Sequence, residues 1–596
     1  MKTKLLGIFI SILIINACKE ERPEDVTEVK LPPIEDVFFN YYQSNLRLNP
    51  IQATFAGDNR YNDELPIDIS QEHKRKVWVL HMRYRDTLLM YENTDLSKDQ
   101  EMSKAVLNWE IEQAIEGHKF NTELLPVNQM FSIPLVIGQL GSGSGAQPFK
   151  TSEDYANWLS RLEKFAVWCD TAVVNMKKGV ETGYVLPKSL IEKIIPQLED
   201  LTKGKTEENL FFTPVTNMPE DLTERDKKQI IENYTSTLEL KVIPAIEALN
   251  EYIKTEYREA GRTSSGIDMI PDGEAYYNYL IRYYTTTTMT ADQIHELGLK
   301  EVERIAAEME KIKEQVGFKG NLKQFFNEVR SKKELMPFDD PQDVIDNFQA
   351  IHEKMKSNLE KMFDLTPKTK FEVRRTEAFR EASASAEYNP GSIDGSRPGI
   401  FYVPIPDVKN YNVFSDEDLF LHEAIPGHHY QISLQQENKN LPDFRKTLWY
   451  SAYGEGWALY SESLGKALGL YNDPYQYFGM LSAEMHRAIR LVVDTGLHAK
   501  GWTREQAIQY SLDNEAEGEA SIISEIERYM AIPGQALSYK IGQLKILELR
   551  EMAKEKLGSK FDIKTFHNKV LESGCIPLEL LEAKINQWVE EAKQSA

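Results

Sequence analysis

Two histidines and a glutamate near residue 425 have the residue types and spacing of a metal-dependent hydrolytic site. The sequence from Asp418 to His429 is DLFLHEAIPGHH, in which His422 is followed directly by Glu423. In the HExxH motif, two imidazoles one helical turn apart bind Zn²⁺ and the glutamate is the general base toward the activated water. Here Pro426 occupies the position of the second histidine, so the motif requires a change of backbone path.

Pro426 and Gly427 predict that change of path. Proline removes the N–H that would bond the carbonyl of His422, and its ring clashes with that carbonyl, while glycine permits backbone angles closed to other residues. We therefore expect the helix to bulge or break here and to bring His428 into the ligand position. His429 is the alternative ligand, although in an unbroken helix it lies about 10 Å from His422 along the axis.

A third metal ligand is predicted in the segment SAYGEGWALYSE, residues 451–462. Glu455 lies there between Gly454 and Gly456, which allow close approach of a second backbone. The surrounding residues are apolar or aromatic, and a carboxylate buried among them needs a cation. Glu455 is therefore the candidate ligand, and a helix N-terminal acid is the alternative. Glu462, two turns further on, is a candidate acceptor for the N–H of a ligand histidine.

Polar residues further along the chain are candidates for binding substrate and stabilising charge. A polar stripe crosses an otherwise apolar helix, and its members are Arg487, Arg490, Asp494 and His498. His498 backed by Asp494 would stabilise an oxyanion, and a buried ion-pair network between helices is the alternative. Tyr529 or Tyr539 would donate to the same oxyanion, and Arg528 would bind a substrate carboxylate with two hydrogen bonds.

Helical signals dominate the elements that must position these residues. Ser415 followed by three acids predicts a helix start before His422, because a hydroxyl caps the first turn and the helix dipole favours acids there. Capping boxes also precede apolar periodic runs at Ser97 with Gln100, Thr290 with Gln293, and Thr503 with Gln506. The run after Thr290 predicts a long amphipathic helix that ends near Gly317.

The region between about 370 and 406 predicts a small β-sheet just before the metal-binding helix. Residues 371–375 and 399–403 are β-rich, and a loop rich in Gly, Ser and Pro lies between them. In zincins an edge strand beside the metal helix pairs with the extended substrate backbone. Residues 384–388 or 399–403 would do so here, and a purely structural hairpin is the alternative.

Length and composition indicate a large soluble body. The 596 residues predict two or more lobes, with a helical N-terminal lobe at 35–260 and a helical catalytic region at 261–596. The formal net charge of −23 argues against nucleic acid as a partner. Cys169 and Cys575 are most simply free thiols. The oligomeric state is left open.

The first residues resemble a bacterial lipoprotein signal. A positively charged start precedes an apolar run over residues 5–15 that is too short to span a bilayer, and Cys18 follows soon after. We expect residues 1–17 to be the signal peptide, Cys18 to be lipidated, and residues 18–34 to form a flexible tether. An ordinary secretory signal is the alternative.

Several long motifs occur in order along the chain: NPGSIDGSRPGIFYV, HEAIPGHHYQ, GEGWALYSE, RLVVDTGLHAKGW and ERYMAIPGQALSYKIG. In these motifs the chain resembles the bacterial family catalogued as domain of unknown function 885. The resemblance covers nearly the whole mature chain. It implies a mainly α, gluzincin-like zinc peptidase fold, similar to the carboxypeptidase Taq and thimet oligopeptidase families, with a deep cleft over the zinc. It implies no known substrate.

The combined expectation is a lipid-anchored, zinc-dependent peptidase of the bacterial envelope, facing the periplasm or the surface. His422, His428 and Glu455 would hold Zn²⁺, and Glu423 would be the general base toward a peptide substrate, in a carboxypeptidase or oligopeptidase reaction. The alternatives are a zinc amidase acting on a non-peptide or cell-wall amide, and a non-catalytic envelope lipoprotein that binds peptides.

Overall fold

The structure is a computed structural model that describes residues 31–143, 145–377, 381, 384–393, 395 and 397–594. These residues are mainly α-helical with one small sheet, as the sequence predicts. The predicted signal peptide, Cys18 and nearly all of the predicted tether lie outside the described residues. Among the helices that are described, none is both long enough and apolar enough to cross a bilayer.

The helices before residue 261 contribute to two hydrophobic cores. They are α1 (Ile34–Leu48), α2 (Pro50–Phe55), α3 (Gln71–Leu88), α4 (Lys98–Gly117), α5 (Ile133–Gly141), α6 (Ser152–Thr182), α7 (Lys188–Thr202), α8 (Thr213–Thr216), α9 (Glu224–Thr237), α10 (Ile243–Tyr252) and α11 (Arg258–Ala260). One core is built from residues between Leu65 and Tyr257. In contrast, α1, α3 and α4 pack mainly into the larger core of the remaining chain.

The helices after residue 261 build most of the larger core and carry the candidate site. They are α12 (Gly273–Thr285), α13 (Ala291–Gln315), α14 (Leu322–Ser331), α15 (Pro341–Met362), α16 (Asp416–Glu423), α17 (His428–Glu437), α18 (Asp443–Lys446), α19 (Ser451–Ser463), α20 (Pro474–Ala499), α21 (Arg504–Asn514), α22 (Glu519–Ala531), α23 (Ser538–Leu557), α24 (Ile563–Leu571) and α25 (Leu578–Gln594).

The helix starts predicted from capping boxes are confirmed. Ser97, Thr290 and Thr503 each accept from the backbone N–H three residues on, and the glutamine there accepts from the cap backbone in return. The helix α13 that follows Thr290 is amphipathic and ends just before Gly317, whose φ is +76°. The local side-chain chemistry is therefore sufficient to fix these boundaries.

The predicted sheet is present and has three strands, β1 (Phe371–Arg375), β2 (Glu387–Asn389) and β3 (Gly399–Val403). Their order is β1-β3-β2, with β3 parallel to β1 and antiparallel to β2. Because β3 is the central strand, its backbone groups are used on both sides and residues 399–403 cannot receive a substrate strand. Of the two predicted segments, only the one that leads into β2 lies at an edge.

Candidate metal centre

The helix break predicted at Pro426-Gly427 is confirmed. The helix α16 ends at Glu423 and α17 starts at His428, and the peptide bond between Ile425 and Pro426 is cis. The indole N–H of Trp457 donates to the carbonyl of Pro426 at 2.7 Å, which fixes the connecting turn. A Cβ atom on Gly427 would collide with the carbonyl oxygen of His422. Only glycine therefore permits this close return of the chain over the end of α16.

The break brings His422 and His428 to the same carboxylate. Nε2 of His422 lies 3.6 Å from Oε2 of Glu455, and Nε2 of His428 lies 3.4 Å from the same oxygen. The ligand atoms of the three residues all lie within 4.8 Å of one another. Two ligands of a tetrahedral zinc ion, each about 2.0–2.1 Å from it, are about 3.4 Å apart. The donor set and its spacing therefore fit Zn²⁺.

The ionisable side chains of this cluster, His422, His428 and Glu455, are largely shielded from solvent. Burial disfavours the imidazolium of His422, but hydrogen bonds to Glu455 and Glu462 outweigh it and raise the pKa of His422 to about 10. Burial likewise opposes ionisation of Glu455, but His428 and His422 hold its pKa far below the usual range. The carboxylate of Glu455 is thus ionised and surrounded by groups that compete to bind it.

Glu462 orients His422, as the sequence predicts. Its Oε1 lies 2.6 Å from Nδ1 of His422, which leaves Nε2 directed at Glu455. Asp418 interacts with Glu462, and burial together with the Glu462 carboxylate raises the pKa of Asp418 well above its usual range. A carboxylate that fixes the tautomer of a ligand histidine is a recurrent support of metal sites. His428 differs, because its Nδ1 is buried and has no hydrogen-bond partner among the residues that the structure describes.

His429, the alternative ligand, is turned away from the cluster. Its Nδ1 lies 2.9 Å from the hydroxyl of Tyr388 and 3.4 Å from that of Ser433, and its ring packs against Phe371. Burial lowers the pKa of His429 to about 4, so the ring is neutral. The structure therefore uses His429 to connect α17 to the sheet, whereas His428 is the neighbour that reaches Glu455.

Glu423 is the last residue of α16 and lies beside the cluster. No hydrogen bond or ion pair to Glu423 is present within the part of the chain that the structure describes. Burial raises the pKa of Glu423, and the nearby His422 and His428 oppose this shift. A carboxylate with a raised pKa and no fixed partner is suited to accept and return a proton.

The glycines that flank Glu455 allow two close contacts. A Cβ on Gly456 would lie 2.5 Å from Cα of Gly542 in α23, and one on Gly454 would collide with the indole ring of Trp449. The backbones of α19 and α23 therefore touch beside the ligand. The interpretation of Glu455 as a helix N-terminal acid is not needed, because Glu455 lies in the second turn of α19.

The capping role predicted for Ser415 is wrong, although α16 does start at Asp416. The Ser415 side chain makes no capping hydrogen bond. The acids that follow, Asp416, Glu417 and Asp418, are buried. Their contacts hold α16 in the interior, in addition to any favourable interaction with the helix dipole. Asp416 accepts from Asn347 at 2.7 Å, and Glu417 pairs with Lys354 at 2.6 Å. Both partners belong to α15, so the acids join the two helices.

The predicted pairing of His498 with Asp494 is also wrong. Nδ1 of His498 accepts from the backbone N–H of Ile267 at 3.0 Å, and Nε2 lies 3.1 Å from the carbonyl of Tyr529. Burial lowers the pKa of His498 to about 3. Asp494 instead accepts from the hydroxyl of Tyr277 at 2.6 Å. Both ring nitrogens are occupied by backbone groups, so no ring nitrogen of His498 is left for an oxyanion.

Arg528 and Tyr529 belong to an ion-pair network around Glu525. Arg528 donates to Glu525 through Nε and Nη2, and Tyr529 donates to it at 2.6 Å. Arg490 also reaches Glu525 at 3.0 Å. The polar stripe therefore takes part in a buried ion-pair network between helices. Tyr539 is placed differently: the guanidinium of Arg490 lies 4.5 Å from its ring, and burial and then Glu455 raise its pKa.

Trp449 is a site residue that sequence reasoning missed. Its ring lies 5.7 Å from that of His428, and it lines two cavities of about 680 and 390 Å³. Arg487 was predicted in the polar stripe but not as a neighbour of the metal cluster, where its charge lowers the pKa of Glu423. No spacing rule places either residue beside the cluster, because both reach it only through the tertiary fold.

The fold and the donor set define the class of protein: it is mainly helical, and a helix break at a proline-glycine pair brings two imidazoles and a carboxylate together. The chain belongs to the family described as "Bacterial protein of unknown function (DUF885)", which matches residues 50–585. This confirms the family inferred from the motifs. A comparison with curated proteins gives no match.

Two solved structures are similar to this chain. One is "the putative lipoprotein from Colwellia psychrerythraea", with 30% identity, a TM-score of 0.85, and coverage of 94% of this chain and 99% of that chain. The other is "a putative lipoprotein of unknown function from Shewanella oneidensis", with 19% identity, a TM-score of 0.74, and coverage of 92% and 98%. At 19% identity the second likeness shows the fold alone.

Proposed function

We propose that this protein is a zinc-dependent peptidase of the bacterial envelope with a gluzincin-like active site. The observation that carries the proposal is the convergence of His422, His428 and Glu455 on one point, with the unpartnered Glu423 beside them. Two imidazoles and one carboxylate form a common donor set of catalytic zinc in peptidases, and such sites keep a position open for water or substrate.

The residues of the chain have separate roles in the proposed reaction. Zn²⁺, when bound, would supply Lewis acidity that activates water and polarises the scissile carbonyl. Glu423 takes the proton from the attacking water as the new C–O bond forms, and it gives that proton to the leaving amine as the C–N bond breaks. Glu462 keeps His422 in one tautomer. The negative charge that develops on the carbonyl oxygen during attack requires a hydrogen-bond donor to stabilise it.

Tyr539 is the candidate donor among the predicted residues. Burial and then the charge of Glu455 raise the pKa of Tyr539, which supports a position of its hydroxyl near the cluster. Tyr529 and Arg528 support it indirectly, because Glu525 holds them both and Arg490 contacts both Glu525 and the ring of Tyr539. The edge strand β2 provides backbone groups for an extended peptide, and Tyr388 on that strand is tied to α17 through His429.

A lipid anchor at Cys18 is part of the proposal. The signal-like start of the chain supports it, and so does the description of the relative from Colwellia psychrerythraea as a "putative lipoprotein". We expect Cys18→Ser to release the protein from the membrane fraction of cells. Continued membrane association of that variant would contradict lipidation.

Metal analysis combined with Glu423→Gln tests the catalytic proposal. Purified protein should contain about one zinc per chain, and the variant should keep that zinc while hydrolysis of a peptide mixture, followed by mass spectrometry, falls at least ~100-fold. Glu112→Gln, which changes an exposed acid of α4 in the same way, is the matched control. A wild-type protein without zinc, or undiminished hydrolysis by the Glu423 variant, would contradict the proposal.

The same assay separates the two alternatives. Cleavage of cell-wall fragments instead of peptides would indicate a zinc amidase. Tight binding of peptides by zinc-replete protein without any cleavage would indicate a non-catalytic envelope lipoprotein.

A further inference from the structure

A second chemical feature lies near the candidate metal cluster and shares Trp449 with it. It is a cavity of about 390 Å³ between the first helices of the chain and the start of α19. We call it the aromatic pocket. Its aromatic wall includes Tyr41, Trp109, Tyr283, Tyr284, Trp449 and Tyr450. Glu110 of α4 is the only charged residue among those that line it.

The carboxylate of Glu110 has no counter-charge. Among the residues that the structure describes, no Lys, Arg or His forms an ion pair with it. The hydroxyl of Tyr450, a residue that is only 4% exposed, lies near this carboxylate, and among the described residues its Oη reaches no acceptor in hydrogen-bonding geometry. Burial raises the pKa of Glu110 to about 7, and the Tyr450 hydroxyl opposes this shift. The pocket therefore has an unpaired acid and an orphaned hydroxyl.

Aromatic rings surround this carboxylate. Burial and then the charge of Glu110 raise the pKa values of Tyr41, Tyr283 and Tyr450. Three phenol groups from three separate segments thus lie close to one acid. The faces of tyrosine and tryptophan rings attract cations, and they do so more strongly where water is excluded. An acid surrounded by such rings has the chemistry of a pocket for a positively charged group.

The aromatic pocket adjoins the candidate active site through Trp449. The ring of Trp449 contacts His428 and also lines the pocket. Ser451 lines the pocket as well and is the first residue of α19, so it lies one turn, about 6 Å along the axis, before the ligand Glu455. A peptide bound at the metal cluster would therefore bring a neighbouring residue to the mouth of this pocket.

We propose that the aromatic pocket binds the cationic side chain of a substrate residue, arginine or lysine, between its aromatic walls and Glu110. A volume of about 390 Å³ is at the small end of the range for ligand pockets, roughly 300–1,000 Å³, and it is larger than an ammonium group alone requires. The substrate class would then be basic peptides. This assignment rests on the proposed peptidase function, but binding in the pocket does not require hydrolysis.

Calorimetric titration with matched small ligands tests the proposal. Nα-acetyl-arginine amide carries the guanidinium, and Nα-acetyl-citrulline amide is its neutral counterpart of nearly the same shape. The mature chain should bind the arginine compound about 10- to 100-fold more tightly, the range that a charged hydrogen bond contributes. Glu110→Gln should reduce this ratio to near one. Glu112→Gln, an exposed acid on the same helix, should leave it unchanged.

Two further measurements test whether an effect of Glu110→Gln comes from the lost charge. One excludes a loss of folding as the cause, and the other excludes binding of an α-amino group in place of a side chain. Tyr450→Phe keeps the ring and removes the orphaned hydroxyl, so it should weaken arginine binding even if Glu110→Gln unfolds the protein. Glycine amide carries a free α-amino group, and acetylglycine amide does not. If the protein distinguishes these two compounds but not the arginine and citrulline compounds, the pocket binds an α-amino group, and the side-chain assignment is overturned.

Two outcomes of the titration would overturn the proposal outright. They are equal binding of the arginine and citrulline compounds by wild type, and discrimination that survives in Glu110→Gln. A protein that discriminates between the two compounds but hydrolyses no peptide would contradict the peptidase function alone.

Discussion

The contact between α19 and α23 should control the zinc affinity of the proposed metal centre. Gly456 directly follows the candidate ligand Glu455, and replacing Gly456 with alanine would put a Cβ atom 2.5 Å from Cα and from the carbonyl carbon of Gly542. Both are backbone atoms, so no side-chain rotation relieves the overlap. Carbon atoms in contact lie about 3.5–4.0 Å apart, and the two helices must therefore separate by about 1 Å.

That displacement is large on the scale of metal coordination. Ligand distances in metal sites vary by only about 0.2 Å, so a shift of about 1 Å at Glu455 removes or weakens one of three ligands. We expect Gly456→Ala to lower zinc affinity at least ~10-fold. Alanine favours the helix by about 1 kcal/mol over glycine, whereas overpacking costs about 1–3 kcal/mol, so the net loss of stability should not exceed about 2 kcal/mol.

Competition with a chromophoric zinc chelator measures this effect, with circular dichroism as the check on folding. Gly542→Ala disturbs the same contact from the opposite helix, since its Cβ would lie 1.8 Å from the carbonyl oxygen of Ala452 and 2.7 Å from Cα of Gly456, and it should weaken zinc binding at least as strongly. Gly518→Ala is the control, because its Cβ would meet only Nη1 of Arg330 at 3.8 Å. A folded Gly456→Ala protein with wild-type zinc affinity would refute the reasoning.

Two more predictions follow from the contacts of single residues. His428→Ala should lose bound zinc while His429→Ala keeps it, because only His428 reaches Glu455, and metal analysis giving the reverse result would contradict this assignment. Burial raises the pKa of Asp494 to about 7. Between pH 4 and 7 Asp494 therefore ionises in the unfolded chain but stays protonated in the folded protein. The free energy of unfolding should fall by up to ~4 kcal/mol as the pH rises through this range. Denaturant unfolding at pH 4.5 and 7.5 should show a smaller fall for Asp494→Asn, and equal falls would count against a buried protonated acid.

The features that the sequence predicted correctly depend on neighbours within a few residues. The capping boxes at Ser97, Thr290 and Thr503 join groups three positions apart, and the break before His428 follows from the missing N–H of Pro426. In each case the interacting atoms are close in the chain, so spacing and residue type were sufficient. The strands at 371–375 and 399–403 were predicted for the same reason.

The features that were missed depend on distant partners. His498 has the type and setting of a catalytic residue, but the N–H that occupies its Nδ1 belongs to Ile267, 231 positions away. The acid Glu417 looks like a solvated helix-start residue until Lys354, 63 positions away, is found beside it. A single sequence carries no record of such pairs, and so it could not distinguish a structural histidine from a catalytic one, or a buried acid from an exposed one.

The helix α19 explains why the motif GEGWALYSE is so specific in its composition. Glu455 is the candidate ligand, Trp457 donates to the carbonyl of Pro426, and Glu462 holds Nδ1 of His422. One helix thus supplies the candidate third ligand, fixes the turn that presents His428, and orients His422. The three contacts lie on a rigid element that Gly456 seats directly against α23. Since the histidines belong to two short helices on either side of a break, their mutual geometry depends on contacts with α19 as well as on the break itself.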